Sequence, residues 1–154
     1  MLKKEGIKIS VIGLGYVGLP LAIELNKQFN IIGFDLDEVR VSELNNQYDR
    51  TNELSGNNLA DLKNLKITTN EINIAESNVY IITVPTPVDK NNKPNLSHII
   101  SASEMIARYL KKNDVVIYES TVFPGCTEEI CVPILEKESN LSFNLDFFCG
   151  YSPE

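Results

Sequence analysis

The sequence has no tryptophan, a single histidine and three cysteines. His98 is the only histidine and the cysteines lack the spacing of a zinc site, so no metal site is expected. A single histidine also makes a Ser-His-Asp catalytic triad a poor expectation. Cys126, Cys131 and Cys149 form an odd set without a secretion signal, which predicts free thiols rather than a disulfide framework. These scarcities exclude the common metalloenzyme and secreted classes.

Long hydrophobic runs and excess positive charge are also missing. No apolar run approaches the roughly 20 residues of a membrane-spanning helix, and the first residues contain no signal-peptide core. The formal net charge of -7 argues against nucleic acid or an anionic membrane as the partner. It is compatible with an anionic cofactor, because backbone N–H groups at a helix N-terminus bind phosphate even in an acidic protein. A cytoplasmic protein is predicted.

The sequence does contain a regular alternation of strand and helix patterns. Predicted strands cover 7–12, 31–35, 66–68, 79–84, 114–118 and a segment near 147–149, and predicted helices cover 16–27, 38–46, 58–63, 97–111 and 124–137. This alternation predicts an α/β fold of the Rossmann type, with a doubly wound, mainly parallel sheet and helices on both faces. Residues 1–154 are expected to form one domain.

Two helices have recognisable first residues. Asp37 is predicted to cap the helix over 38–46, with Val39, Val41 and Leu44 on its inner side, and Ser97 to cap the helix over 97–111. The stretch 45–64 is polar and rich in asparagine, which predicts a surface excursion.

Gly13-Leu14-Gly15-Tyr16-Val17-Gly18 is a GxGxxG motif between a predicted strand and a predicted helix. In that context it is typical of a dinucleotide-binding turn. Gly13 would permit the tight turn, Gly15 the approach of a pyrophosphate, and Gly18 the close packing of helix on strand. The alternative is a glycine turn with only a structural role.

Two charged residues follow this motif. Asp35 ends the second predicted strand, about 20 residues further on, where a carboxylate accepts hydrogen bonds from the adenosine ribose and repels a 2′-phosphate. This position favours NAD over NADP, although Asp35 as a turn or cap residue is the alternative. Arg40 either reaches the cofactor or lies on a solvated helix face, and an arginine here leaves tolerance of a 2′-phosphate open.

Hydroxyl side chains follow two later strands at their carboxyl ends, where doubly wound folds bind ligands. Thr86 belongs to the segment Thr83–Pro87, and Ser120 and Thr121 follow the strand over 114–118. A rigid connector and helix capping are the respective alternatives. Cys126 opens a predicted helix, which can lower a thiol pKa, but no base accompanies it and we interpret it as a bystander.

These motifs occur in a recognisable order: GLGYVG at 13–18, Asp35, Arg40, VPTP at 84–87, ESTVFPG at 119–125 and SPE at 152–154. Over essentially its whole length, the chain resembles the NAD-binding N-terminal domain of the UDP-glucose/GDP-mannose dehydrogenase family. The segment VPTPVD at 84–89 and the Ser-Pro-Glu at 152–154 are more similar to the branch of this family that oxidises UDP-N-acetylhexosamines for surface polysaccharides than to the UDP-glucose enzymes.

The resemblance implies a two-step, four-electron oxidation of a UDP-sugar C6 alcohol to a carboxylate, using two NAD+. It also implies a cysteine nucleophile that forms a thiohemiacetal and a thioester, assisted by a lysine and an asparagine, all in a domain beyond this chain. By motif position, Thr121 matches a threonine that helps hold the catalytic water, and Glu154 matches the glutamate linked to thioester hydrolysis. The matches to NAD contacts are Tyr16, Val17, Asp35, Arg40, Thr86 and Thr121.

The chain stops directly after an apolar strand, which predicts that it is the first part of a longer enzyme. The whole enzyme is expected to be a homo-oligomer, and this part alone to be inactive. Two alternatives remain open. One is another Rossmann dehydrogenase of the β-hydroxyacid type, which would not carry the VPTP and ESTVFPG blocks together. The other is a non-catalytic NAD-binding regulatory module.

Overall fold

Six strands form one sheet in the computed structural model, which describes residues 6–54, 60–88, 90 and 93–152. They are β1 (Lys8–Ile12), β2 (Asn30–Phe34), β3 (Lys66–Thr68), β4 (Val79–Ile82), β5 (Val115–Tyr118) and β6 (Phe148–Tyr151). All pairings are parallel and the order is β3-β2-β1-β4-β5-β6. This is the doubly wound order of a Rossmann fold, and the predicted fold class is confirmed.

Helices cover both faces of the sheet. They are α1 (Gly18–Asn26), α2 (Glu38–Asn45), α3 (Ser97–Ala107) and α4 (Val132–Ser139), with 3-10 turns at Leu62–Asn64 and Glu71–Glu76. Strand β4 shows why the strands are apolar throughout: Tyr80 and Ile82 enter the core beside α3, whereas Val79 and Ile81 enter the core on the other face. Among the described residues, no helix is long and apolar enough to cross a bilayer.

Helix α2 begins as predicted but turns a different face inward. The Asp37 side chain caps it by accepting a hydrogen bond from the Arg40 N–H at 3.0 Å. Val41 and Leu44 are buried, but the prediction for Val39 was wrong because its side chain is 62% exposed. Arg40 is buried in its place, since positions 40, 41 and 44 share one helix face at i, i+1 and i+4 and position 39 points away.

The stretch 45–64 is less superficial than its composition predicts. Asp49 and Leu54 are both buried, and the carboxylate of Asp49 accepts the N–H groups of Thr51, Glu53 and Leu54. The helix predicted over 58–63 is described only in part, as a short helical segment at 60–61 that continues into the 3-10 turn Leu62–Asn64. Its first two residues lie outside the described ranges.

Two helix starts differ from the prediction. Ser97 does not cap α3; the side chain of Asn95 accepts the Ser97 N–H at 3.0 Å, and the helix ends at Ala107. The helix predicted over 124–137 is present from residue 126 to 139, but the predicted start at Pro124 was wrong, and a π-helical turn, Thr127–Cys131, precedes α4. The proline at position 133 explains this, because proline lacks an N–H and clashes with the carbonyl four residues earlier in a regular α-helix.

Candidate dinucleotide-binding site

The carboxyl ends of the parallel strands meet at one edge of the sheet, and the predicted site residues follow them. The glycine turn, residues 13–18, follows β1, and Asp35 follows β2. Thr83 to Thr86 follow β4, and Glu119 to Thr121 follow β5. The topology therefore brings together residues that are far apart in the sequence.

The three glycines of the turn are required for different reasons. Gly13 has a φ of +97°, a conformation that side chains disfavour. A Cβ on Gly18 would lie 1.8 Å from the Gly13 carbonyl oxygen and 2.4 Å from Thr83 Oγ1, whereas a Cβ on Gly15 would meet nothing within 4 Å. Gly13 and Gly18 are thus constrained by the protein, and Gly15 faces open space.

The turn leaves hydrogen-bond donors free. Within the described part of the chain, the N–H groups of Gly15, Tyr16 and Val17 bond to no other residue. These groups precede the first turn of α1, where the helix dipole favours negative charge. They form an anion-binding arrangement that fits a pyrophosphate.

Three side chains hold the backbone of the turn. Thr83 Oγ1 donates to the Gly13 carbonyl at 2.7 Å, and the Leu14 N–H donates to Asp35 Oδ2 at 2.7 Å. Arg40 Nε donates to the Leu14 carbonyl at 2.9 Å. Sequence reasoning did not assign Thr83 this role, and its only signal was a hydroxyl residue at the end of a buried strand.

Arg40 is buried, with 4% of its surface exposed, so the interpretation as a solvated helix residue was wrong. Its Nη2 lies 2.8 Å from Asp49 Oδ1, and both side chains are almost fully shielded from solvent. Burial alone would raise the pKa of Asp49, but hydrogen bonds from Thr51, Leu54 and Arg40 outweigh it and lower the pKa to about 2. The buried Nη1 of Arg40 has no partner among the described residues.

Two cavities flank the glycine turn and share Val84 and Pro85. The larger, about 560 Å³, is lined by Gly13, Phe34, Asp35 and Leu36 on one side and by α3 residues including Ser101, Ala102 and Met105 on the other. The smaller, about 310 Å³, is lined by Gly15, Tyr16, Val17, Thr86, Glu119, Ser120 and Thr121. Their positions fit the two halves of a dinucleotide whose pyrophosphate lies at the turn.

The loops after β4 and β5 are tied to each other by hydroxyl groups. Thr86 Oγ1 donates to the Thr121 carbonyl at 2.5 Å, and Ser120 Oγ donates to the Val84 carbonyl at 2.7 Å. The Ser120 hydroxyl is therefore used within the protein, whereas Thr121 is exposed at the smaller cavity. Glu154, the other predicted catalytic residue, lies outside the described residues.

All three cysteines are free, and none has an activated thiol. Cys126 and Cys131 are buried, and burial raises the pKa of Cys126. Burial also raises the pKa of Cys131, and that of Cys149, to about 12. At neutral pH these groups are thiols rather than thiolates, which agrees with the interpretation of Cys126 as a bystander.

A doubly wound parallel sheet whose carboxyl edge bears this glycine turn, this aspartate and these two cavities defines a dinucleotide-binding Rossmann domain. Residues 7–154 match the sequence model described as UDP-glucose/GDP-mannose dehydrogenase family, NAD binding domain. The chain belongs to this family, as its NAD-binding domain. This membership sets aside the β-hydroxyacid alternative.

Individual relatives agree with this assignment. The chain is 51% identical over 150 residues to the UDP-N-acetyl-D-glucosamine 6-dehydrogenase of Pseudomonas aeruginosa, covering 97% of the chain and 36% of that protein. It is 50% identical to Protein CapL of Staphylococcus aureus, covering 95% and 34%. The structure of the UDP-D-ManNAc dehydrogenase from Pyrococcus horikoshii matches with a TM-score of 0.88 at 31% identity, covering 96% and 36%. The chain thus spans about a third of the length of these relatives.

Proposed function

We propose that the complete protein is an NAD-dependent 6-dehydrogenase of a UDP-sugar, and that this chain is its cofactor-binding part. The observation that carries the proposal is the pair of cavities on either side of the glycine turn, with free N–H donors on the residues of the turn that line the smaller cavity. The half-identical UDP-N-acetyl-D-glucosamine 6-dehydrogenase supports a UDP-N-acetylhexosamine as substrate and a uronic acid as product. The VPTPVD and Ser-Pro-Glu motifs, which are similar to the branch that oxidises UDP-N-acetylhexosamines, carry the proposal of a role in surface polysaccharide synthesis.

In this proposal, each part of the cleft binds one part of NAD. The N–H groups of Gly15, Tyr16 and Val17 bind the pyrophosphate, and Asp35 accepts hydrogen bonds from the adenosine ribose. The larger cavity holds the adenosine half, and the smaller cavity, at Thr86 and Thr121, holds the nicotinamide half. Arg40 stabilises the turn from within the protein, through its hydrogen bond to the Leu14 carbonyl.

NAD supplies the acceptor for the hydride that leaves the sugar C6 carbon. The residues of this chain bind and orient the NAD. Thr121 is proposed to help hold the catalytic water at the exposed edge of the smaller cavity. Glu154 is proposed to assist thioester hydrolysis on its motif position alone. The nucleophilic cysteine, lysine and asparagine are proposed to lie in substrate-binding and C-terminal domains of the complete protein, since no thiol described here is activated.

The remaining assignments belong to the same proposal. The UDP-sugar is the expected partner, and the complete enzyme is expected to be a cytoplasmic homo-oligomer. The net charge of -7 supports neither nucleic acid nor an anionic membrane surface as a partner. A non-catalytic NAD-binding module remains the competing function, and it differs in the turnover that it predicts for the complete protein.

Calorimetric titration and NADH absorbance test the proposal together. The 154-residue chain should bind NAD but produce no NADH with a panel of UDP-hexoses and UDP-N-acetylhexosamines. The complete protein should turn over with a UDP-N-acetylhexosamine. Absence of turnover in the complete protein across the panel, with NAD binding intact, would favour the non-catalytic module. Sustained turnover by the 154-residue chain would show that the active site has been misplaced.

A further inference from the structure

The stretch after α2 contributes a buried carboxylate to the back of the glycine turn. Asp49 is 5% exposed and lies in a segment whose composition is that of a surface loop. Its Oδ1 accepts from Thr51 Oγ1 at 2.6 Å and pairs with Arg40 Nη2 at 2.8 Å, while Oδ2 accepts the N–H groups of Glu53 and Leu54, each at 3.0 Å. Nothing in the proposed function uses this residue.

The partner of Asp49 makes a specific contact with the turn. Arg40 Nε donates to the Leu14 carbonyl at 2.9 Å, while Nη2 is held by Asp49 and by Thr51 Oγ1 at 3.3 Å. The guanidinium group is planar and its donors have a fixed geometry, so an anchored Nη2 also fixes the direction of Nε. The position of Asp49 therefore determines where Arg40 meets the turn.

The contact with Leu14 controls the donor that follows it. In a trans peptide unit the C=O of Leu14 and the N–H of Gly15 are coplanar and point in opposite directions. A Leu14 carbonyl held towards Arg40 thus holds the Gly15 N–H away from the protein interior, towards the smaller cavity that Gly15 lines. The Leu14 N–H is fixed separately by Asp35.

We infer that Asp49 is a positioning residue for cofactor binding: it holds Arg40 against the Leu14 carbonyl and so orients the Gly15 N–H towards the pyrophosphate. The inference rests on the proposed placement of the pyrophosphate at the glycine turn. It extends the binding site to a residue that touches no part of the cofactor. A hydrogen-bond donor oriented before the ligand arrives costs less on binding than one that must be ordered.

The substitution Asp49→Asn removes the charge while keeping the size of the side chain. Calorimetric titration of the 154-residue chain should show NAD affinity weakened about tenfold. In ¹⁵N-¹H spectra without ligand, the Gly15 amide signal should move. The control is Ile31→Val, which trims a buried side chain at the amino end of β2, the opposite end from the site. It should lower the melting temperature but leave NAD affinity within twofold and the Gly15 signal in place.

Thr51→Val provides a second variant if Asp49→Asn does not fold, because it removes only the hydroxyl that donates to Asp49 and accepts from Arg40. It should move the Gly15 signal in the same direction by a smaller amount. NAD affinity unchanged in both folded variants would overturn the inference, and so would an equal loss in Ile31→Val. If the wild-type chain binds no NAD, the placement of the cofactor fails. The Gly15 signal then still decides whether Asp49 orients the turn.

Discussion

The two sides of the cleft are held by different kinds of contact. On the side of the glycine turn, three side chains fix two successive peptide units, and one of them, Arg40, is held in a buried ion pair with Asp49. On the side of the loops after β4 and β5, the ties are single hydroxyl bonds from Thr86 and Ser120, and Thr121 is exposed. The turn is therefore preorganised within this chain, whereas the opposite loops present their residues to solvent.

This difference matches the different roles of the two sides in the proposed function. A pyrophosphate is the same in every reaction of NAD, so its binding turn can be complete within one domain. The nicotinamide side must also receive a substrate, and in the proposed enzyme further domains contribute to it. We expect changes on the turn side to have large effects on NAD affinity, and changes on the loop side to have small effects in this chain.

The largest effect is expected from Gly18→Ala. Its Cβ would lie 1.8 Å from a backbone carbonyl oxygen that cannot rotate away, so the free energy of unfolding should fall by more than about 3 kcal/mol.

Gly15→Ala should leave the melting temperature nearly unchanged, because its Cβ meets nothing within 4 Å, yet abolish measurable NAD binding by filling the space in front of the turn. Thermal melts and calorimetric titrations measure both.

Gly6→Ala is the matched control, since a Cβ there also meets nothing within 4 Å but lies before β1, away from the turn. NAD affinity equal to that of wild type is expected. If Gly15→Ala bound NAD as tightly as Gly6→Ala does, the pyrophosphate would not lie at Gly15.

The next largest effect concerns the choice of cofactor. NADP should bind about a hundredfold more weakly than NAD, close to 2.8 kcal/mol, because its 2′-phosphate would approach the Asp35 carboxylate. The charge of Arg40 is already paired with Asp49 and offsets this repulsion only in part. Parallel titrations of the two cofactors measure the ratio. Equal or tighter binding of NADP would remove Asp35 from its proposed role.

Acid should weaken the turn side selectively. The pKa of Asp49 is about 2 in the folded chain, below the ordinary aspartate value of 3.8, so its contribution is present above pH 3.8 and is lost as the pH falls towards 2. This loss amounts to about 2 kcal/mol of the free energy of unfolding. Urea unfolding between pH 6 and pH 2.5 should therefore show a shallower acid loss for Asp49→Asn than for wild type.

Asp114→Asn is the control with the opposite sign. Burial raises the pKa of Asp114, so this residue favours the folded state more as it becomes protonated. Replacing it should make the acid loss steeper. A pH dependence identical to wild type in Asp49→Asn would show that the buried ion pair contributes nothing.

The same comparison explains how much was predictable from the sequence. The glycine turn, Asp35 and the alternation of strands and helices follow from local patterns: a GxGxxG between a strand and a helix, and apolar runs of strand length. The residues that support the glycine turn cannot be predicted in this way, because Arg40, Asp49 and Thr83 act through contacts made only in the folded chain. Asp49 in particular lies in an asparagine-rich stretch that resembles a surface loop.

The mistaken helix details have local physical causes. Val39 was expected inside α2 because it is apolar, but positions 39 and 41 lie on opposite sides of a helix, and the buried face is that of Arg40, Val41 and Leu44. Serine is a residue type that commonly caps helices, but here the Asn95 side chain accepts the hydrogen bond from the Ser97 N–H. The π-helical turn before α4 follows from a proline one residue inside the helix, a feature that a simple 3.6-residue pattern does not reveal.

On the loop side, Thr86→Val should weaken NAD binding about fivefold. It removes one neutral hydrogen bond to the Thr121 carbonyl, worth about 1 kcal/mol, and so loosens the loop after β5. Thr86→Ser keeps the hydroxyl and should retain affinity within twofold in the same titration. A loss as large as that of Gly15→Ala would mean that the two sides of the cleft do not differ as proposed.

The smallest effect on NAD binding is expected from Cys126→Ser. The thiol is fully buried beside the π-helical turn, its pKa is raised by burial, and no cavity of the cleft is lined by it. Serine in this apolar place should lower the free energy of unfolding by about 1–3 kcal/mol, since its hydroxyl loses water on burial. NAD affinity should stay within twofold, and turnover of the complete protein within a few-fold.

Alkylation provides an independent measure of the same thiol. Because the thiolate is the reactive form, the native chain should react slowly with iodoacetamide at pH 7, and at the rate of an ordinary thiol only after unfolding in urea. Cys149 is less buried than Cys126 and serves as the internal comparison for access. A hundredfold loss of turnover in Cys126→Ser, without loss of NAD binding, is the scale of a removed catalytic group and would place Cys126 in the chemistry.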